Sequence, residues 1–241
     1  MKNYSITSFS SFILFCRPDM TTMALWLFLT AAAAAISGTN AQQLAFWDAD
    51  NYVDQIILVK LGAHSARLDP LEVAPFALHN SHDKLYGPVR FHVSKVSGLG
   101  RLARVQRGDQ CASATEDFPD GANVTCHVRF DAIKVYLDSL LTRDGEQVME
   151  VKANVTFRDV LARLNVRLVP WHDPVANLTV GATFSNLRSA FDGLNETPQT
   201  QKLIWGYEKA AKDIVAQAIT VDLSEALTKA ASEVAFPCCH S

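Results

Sequence analysis

Two groupings of histidine and cysteine in this sequence have the residue types that bind metals. Residues 238–240 read Cys-Cys-His, and His79 and His82 stand in His-x-x-His spacing before Asp83. A closed zinc site needs four ligands, and neither grouping supplies them. We interpret 238–240 either as a tail that forms a disulfide with another chain or as a frayed terminus, and 79–83 as a solvated loop. No metal and no cofactor are expected.

Motifs that carry catalysis are missing from the sequence. It contains no Gly-x-Ser-x-Gly nucleophile elbow, no P-loop and no Gly-x-Gly-x-x-Gly element, and Gly98-Leu99-Gly100 is too short to count as one. Serine, histidine and aspartate all occur, but no spacing singles out a triad. The sequence therefore predicts a binding protein rather than an enzyme, and no catalytic residue is assigned.

The composition is that of a folded and nearly neutral protein. The chain has 241 residues, of which 49% are hydrophobic and 20% charged, and its formal net charge is -3. This length corresponds to one or two domains. Lysine and arginine are scattered, without a basic block that would neutralise a run of phosphates, so nucleic acid is not an expected partner.

The N-terminal segment is predicted to lie outside the fold. Residues 23–36 form an apolar run that is shorter than the roughly 20 residues needed to span a bilayer, and Thr39-Asn40-Ala41 offers a cleavage site. We expect residues 1–41 to be an N-terminal extension with a signal peptide, and residues 42–241 to be one secreted domain. A membrane anchor is the alternative. Translation starting at Met20 or Met23 also stays open.

The cysteines and the glycosylation sequons agree with an extracellular location. Cys111 and Cys126 enclose a Pro-Asp-Gly turn between two predicted strands, which predicts a disulfide across a hairpin. Four Asn-x-Thr sequons follow the apolar run. The predicted glycosylation sites are Asn123, Asn154, Asn177 and Asn195.

Hydrophobic periodicity predicts a helix, then a long series of strands, then helix again. Apolar residues recur at helical spacing over 51–66 and, on two stripes, between Pro198 and Pro237. Period-two alternation marks the strands between them. The alternating runs lie near 89–94, 99–105, 124–137, 149–157, 162–168 and 178–182.

The fold class expected from this order is α+β. Long strands joined by tight turns form an antiparallel meander, which twists and curls. We expect this strongly curved sheet to wrap around the long C-terminal helix as a single super-roll, with the N-terminal helix beside it. The apolar concave face would then enclose a cavity wherever side chains do not fill it.

The apolar residues on the inward stripes are core candidates and pocket candidates at once, because both are built from the same residue types. Sequence patterning does not separate the two roles. The candidate ligand-binding residues are Ile57, Leu61, Phe91, Val93, Leu99, Val128, Phe130, Val155, Phe157, Leu164, Val166, Tyr207, Ile214 and Val221.

The stretch around the first predicted strands resembles a known family. Residues 69–75, which contain Asp-Pro-Leu-Glu-Val and Pro75, with Val-Ser-Gly-Leu at 96–99 and residues 104–109, resemble the mite group 7 allergens. Those belong to the tubular lipid-binding superfamily, with the bactericidal/permeability-increasing, takeout and juvenile-hormone-binding proteins. The chain departs from the mite pattern in carrying Cys111 and Cys126 and in its many sequons.

The resemblance implies a super-rolled sheet around a long helix with an elongated lipid pocket, an arthropod source, and neither cofactor nor catalysis. The favoured function is a secreted carrier of a hydrophobic or lipid-like small molecule. The alternative is an innate-immunity protein that recognises microbial lipid or lipopeptide and engages another secreted protein. Arg101, Arg104 and Arg107 would then meet anionic head groups, unless they form a solvated strand edge.

Overall fold

The structure is a computed structural model. It describes residues 49–78, 88–105, 110–114, 121–143, 146–169, 171–181, 184, 186–195, 197–198 and 200–235. The described strands are β1 (Leu71–Val73), β2 (Phe76–Leu78), β3 (Val89–Ser97), β4 (Leu102–Arg104), β5 (Ala112–Ala114), β6 (Ala122–Arg143), β7 (Glu146–Leu168), β8 (Val175–Val180) and β9 (Asn186–Asp192). Helix α1 covers residues 49–65 and helix α2 covers residues 201–232.

The centre of the sheet is one very long antiparallel hairpin. Strands β6 and β7 have 22 and 23 residues and pair along almost their whole length. Shorter strands lie end to end along both sides: β3, β4 and β5 pair with β6, whereas β8 and β9 pair with β7. Strands β1 and β2 add to the outer edge of β3. The expected antiparallel curled sheet with a helix at each end of the chain is confirmed.

Both strands of the hairpin change the parity of their buried residues at the same point. In β6 the buried positions are even-numbered up to Phe130 and odd-numbered from Ile133, and in β7 the change falls at Arg158 and Asp159. The register is the same on both sides of this point. Asp159 has φ 54, a left-handed conformation that lets two successive residues face outward. The runs that alternation separates in the sequence are therefore single strands.

A β-bulge in β3 changes which residues face inward. The register with β6 shifts between Phe91 and Val93. An extra residue on one strand exchanges the two faces beyond it. Val93, predicted to face the interior, is therefore only partly buried, and the polar Ser94 is buried in its place.

The C-terminal helix is continuous. Residues Ala218–Leu223 make π-type hydrogen bonds between the α-helical segments Gln201–Gln217 and Ser224–Ser232. Buried residues of this helix form a row that advances in steps of four through the α-helical and π-type segments alike. That row contains Tyr207, Ala211, Val215, Ile219, Leu223 and Leu227. Val221, predicted to face inward, is 57% exposed.

Helix α2 closes one edge of the sheet by hydrogen bonds from its side chains. The backbone N–H of Leu178 donates to Ser224 Oγ at 2.9 Å, and that of Ala176 donates to Thr228 Oγ1 at 3.0 Å. On β9, Ser189 Oγ donates to Glu208 Oε1 at 2.8 Å. Side chains of the helix thus satisfy two backbone N–H groups of the β8 edge.

Helix α1 lies along the C-terminal half of α2 and is fixed by ion pairs. Arg104 of β4 reaches Asp50 and Asp54 of α1, each at 3.0 Å. Lys60 and His64 reach Glu233, just past the end of α2, at 3.4 and 2.7 Å.

In the part of the chain that the structure describes, no helix has both the length and the hydropathy needed to cross a membrane.

Strand β9 was not predicted. Along Asn186–Asp192 every second residue is partly buried, beginning with Leu187 and ending with Phe191. Ser189 stands between those two apolar positions and hides the alternation in the sequence. Two segments that contain predicted residues lie outside the described residues: 79–87, with His79 and His82, and 106–109, with Arg107.

Candidate functional site

A groove lies between the β1–β2 edge of the sheet and the middle of α2. Its volume is about 470 Å³. This value falls within the range of about 300–1,000 Å³ that small-molecule sites occupy. The groove is lined by Leu71, Glu72, Val73, Ala74, Pro75, Phe76 and Leu78 on the sheet side, and by Ala210, Asp213, Ile214, Gln217, Ala218 and Asp222 on the helix side.

The sheet wall follows from the sequence of two very short strands. Pro75 has no N–H to donate to a ladder, and it lies between β1 and β2, which both pair with β3. Leu71 and Val73 stand opposite Val96 and Ser94, and Phe76 stands opposite Phe91. The four large apolar side chains of the two strands are only partly buried, so they leave apolar surface accessible along this wall. They are Leu71, Val73, Phe76 and Leu78.

The apolar part of the helix wall is a row of two alanines with an isoleucine between them. Ala210, Ile214 and Ala218 follow one another at intervals of four on α2. All three are buried. The two alanine side chains end close to the backbone, which leaves the width of the groove between helix and sheet.

Aromatic rings fill the interior next to the groove. The rings of Phe76 and Phe91 stack with centroids 4.5 Å apart, and Phe91 meets Tyr207 edge to face at 5.2 Å. The Tyr207 hydroxyl lies 2.5 Å from Ser139 Oγ, whose own proton goes to the carbonyl of Val151 at 3.0 Å. Tyr207 therefore donates to Ser139. Burial raises the pKa of Tyr207 to about 12, so the donor stays protonated.

The rim of the groove is acidic. Glu72, Asp213 and Asp222 are lining residues, and no lysine or arginine is among the lining residues. Glu72 pairs with Lys95 at 3.1 Å. Burial raises the pKa of Asp222, and the charge of Glu225 adds to this effect. Asp213 is exposed.

The structure places most of the sequence-based candidates in the hydrophobic core. All except Val93 and Val221 are buried. Leu99, Val128, Phe130, Val155, Leu164, Val166 and Tyr207 have no accessible surface at all. Such side chains border no space as wide as a water molecule, and an alkyl chain needs more room than that. Ile214 is the candidate that lines the groove.

The β1–β2 wall was missed by sequence reasoning as a site. Leu71, Val73, Phe76 and Leu78 alternate in the sequence around Ala74-Pro75, and this pattern was the available signal. On the helix, the spacing of Ala210 and Ala218 was a second signal. Neither pattern indicates that the β1–β2 segment and α2 face each other in the fold.

Of the three arginines considered for anionic head groups, Arg104 is engaged in ion pairs. Arg104 binds two carboxylates, and its pKa is raised, first by the hydrogen bond with Asp54 and then by the charges of Asp54 and Asp50. Arg101 is exposed. Arg107 lies outside the described residues.

Some of the remaining predicted sites lie within the described residues and others lie outside them. Cys111 and Cys126 form a disulfide, which confirms the predicted pairing. Asn154, Asn177 and Asn195 are exposed, whereas Asn123 is partly buried. Cys238, Cys239, His79 and His82 lie outside the described residues. Among the described residues, no group of three or more potential ligands is arranged for a metal ion.

Comparisons with known proteins give structural neighbours only. No protein-family model and no curated protein matches the chain. Among solved structures, a crystal structure of lipopolysaccharide binding protein is similar over 77% of this chain and 38% of its own length, with 12% identity and a TM-score of 0.46. Takeout 1 of Epiphyas postvittana is similar over 74% of this chain and 83% of its own, with 11% identity and a TM-score of 0.31. The chain thus spans well under half of the first of these proteins.

Proposed function

We propose that this protein is a secreted carrier that holds a hydrophobic or lipid-like small molecule in the groove between β1–β2 and α2. The observation that carries the proposal is the apolar part of the groove's lining, which includes Leu71, Val73 and Phe76 on the sheet side and Ile214 and Ala218 on the helix side. Binding there needs no reactive group, in keeping with the absence of a catalytic motif from the sequence.

The energetics of such binding come from desolvation. Each methylene group that leaves water contributes about 0.8 kcal/mol. Part of this is offset by the ordering of ligand and protein. An aliphatic chain of about twelve carbons therefore offers roughly 10 kcal/mol gross, and the part that remains after the ordering costs is its affinity.

Secretion, the four glycans, the domain boundary after residue 41 and the likeness to mite group 7 allergens remain predictions. Support for the glycans comes from the exposure of Asn154, Asn177 and Asn195. The innate-immunity alternative has less support, because Arg104 is engaged by Asp50 and Asp54 and presents no free charge to an anionic lipid.

Narrowing the groove tests the proposal. Gln217 is an exposed lining residue on α2, so Gln217→Trp places a bulky ring at the groove without disturbing the core. We expect this variant to bind the uncharged fluorescent probe N-phenyl-1-naphthylamine about tenfold more weakly. A tenfold loss of affinity corresponds to the free energy of burying about two methylene groups.

The matched control is Thr220→Trp, which adds the same ring at an exposed position of α2 that does not line the groove. This control should bind the probe as the unmodified protein does. Unchanged affinity in Gln217→Trp, or no probe binding by the unmodified protein, would refute the proposed site.

A further inference from the structure

We propose that the groove selects single-chain amphiphiles whose head group is a protonated amine, and discriminates against carboxylates. This inference rests on the proposed function and names the class of ligand for the same groove. It follows from the charges that surround an otherwise apolar space.

The lining residues with formal charge are all acidic. They are Glu72 on the sheet side and Asp213 and Asp222 on the helix side. Glu72 is the outward residue of β1, so the carboxylates that bear on the groove are Asp213 and Asp222, which place a negative potential along its helix side. A cation there is attracted and a second anion is repelled, so the two effects add when an amine is compared with a carboxylate.

Compensation by nearby cations is incomplete. Lys95 lies 3.1 Å from Glu72 and offsets that carboxylate. Among the described residues, neither Asp213 nor Asp222 takes part in an ion pair. The helix side of the groove therefore keeps two carboxylates that a ligand's ammonium group can pair with.

The test compares three ligands of equal chain length that differ only in the head group: dodecylamine, 1-dodecanol and dodecanoate. Each competes with N-phenyl-1-naphthylamine on the full chain at neutral pH. We expect the amine to bind about tenfold more tightly than the carboxylate, with the alcohol between them. The double variant Asp213→Asn with Asp222→Asn should remove the preference for the amine over the carboxylate.

Two further variants sharpen the test. Asp213→Lys should reverse the order, so that dodecanoate binds more tightly than dodecylamine. Asp131→Asn removes an exposed carboxylate of β6 that does not line the groove, and it should change nothing.

The outcomes separate the two proposals. If all three ligands bind equally, or if the preference survives in both aspartate variants, charge selection is refuted while the groove remains a binding site. If none of the three displaces the probe, the proposed function itself fails.

Discussion

At the scale of single residues, Tyr207 and Ser139 form a polar pair inside an apolar interior. The phenol donates to Ser139 Oγ, and the serine in turn donates to the Val151 carbonyl on β7. The chain of bonds therefore joins α2 to both strands of the central hairpin. Each hydroxyl has one proton to donate. Both protons are therefore hydrogen-bonded only when Tyr207 donates to Ser139 and Ser139 donates to Val151.

This direction predicts unequal effects of two small substitutions. Tyr207→Phe removes one hydrogen bond and leaves Ser139 bonded to Val151, so it should lower the free energy of unfolding by about 1 kcal/mol. Ser139→Ala leaves a buried phenol without an acceptor and should lower it by about 1–3 kcal/mol. Urea denaturation measures both. A larger effect for Tyr207→Phe would mean that the bonds run the other way.

At the scale of elements, the turn after β3 depends on one glycine. Gly98 has φ 93, and a Cβ there would clash with the backbone carbonyl oxygen of Ala132. Its N–H donates to Asp69 Oδ1 at 2.9 Å. The turn thus holds the start of β1, and with it one wall of the groove, against the central hairpin.

We therefore expect Gly98→Ala to lower the free energy of unfolding by about 2 kcal/mol or more, since both the left-handed backbone and the close carbonyl oppose a side chain. Gly100→Ala is the matched control. Its Cβ would make only ordinary contacts, the nearest at 3.5 Å. Equal stability of the two variants in thermal unfolding would contradict this account of the turn.

The link between α1 and the end of α2 should depend on pH. Hydrogen bonds from His64 and then Lys60 hold the pKa of Glu233 below its ordinary value. A carboxyl group with a lowered pKa in the folded state stabilises the fold above its unfolded pKa, and that stabilisation disappears as the pH falls through the folded pKa. The link therefore weakens in acid.

Glu233→Gln removes the titrating group at this link. The variant should unfold at a lower temperature than the unmodified protein at pH 7, and the difference should shrink steadily as the solution is made more acidic than the ordinary pKa of a glutamate. Glu146→Gln, at an exposed position at the start of β7, is the control and should track the unmodified protein throughout. A difference that does not shrink in acid would exclude the ion pair as its cause.

The elements that sequence patterning predicts well are those with a local signal. Alternation marks β6 and β7, and the Cys111–Cys126 spacing predicts the disulfide that the structure contains. The bulge at His92 has no local signal in the sequence. Its position is set by how β3 pairs with β6, which is far away along the chain. For the same reason Val93 was assigned to the wrong face.

At the scale of the whole described fold, α2 is hydrogen-bonded to one edge of the sheet but is separated from the other edge by a groove. Its side chains bond to β8 and β9 along one edge. Towards the other edge, α1 packs against the C-terminal half of the helix, and the groove opens beside the middle of it. The groove could not be predicted, because it depends on residues 71–78 meeting residues 210–222 across a long stretch of chain.

The central claim is that the groove carries an apolar ligand. Native mass spectrometry of the protein secreted by eukaryotic cells tests it most directly, after glycans have been removed enzymatically. We expect a bound mass that solvent extraction releases as an aliphatic amphiphile, and that Gln217→Trp loses while Thr220→Trp retains it. A protein that carries no extractable ligand and takes up none when incubated with dodecylamine or 1-dodecanol would contradict the account.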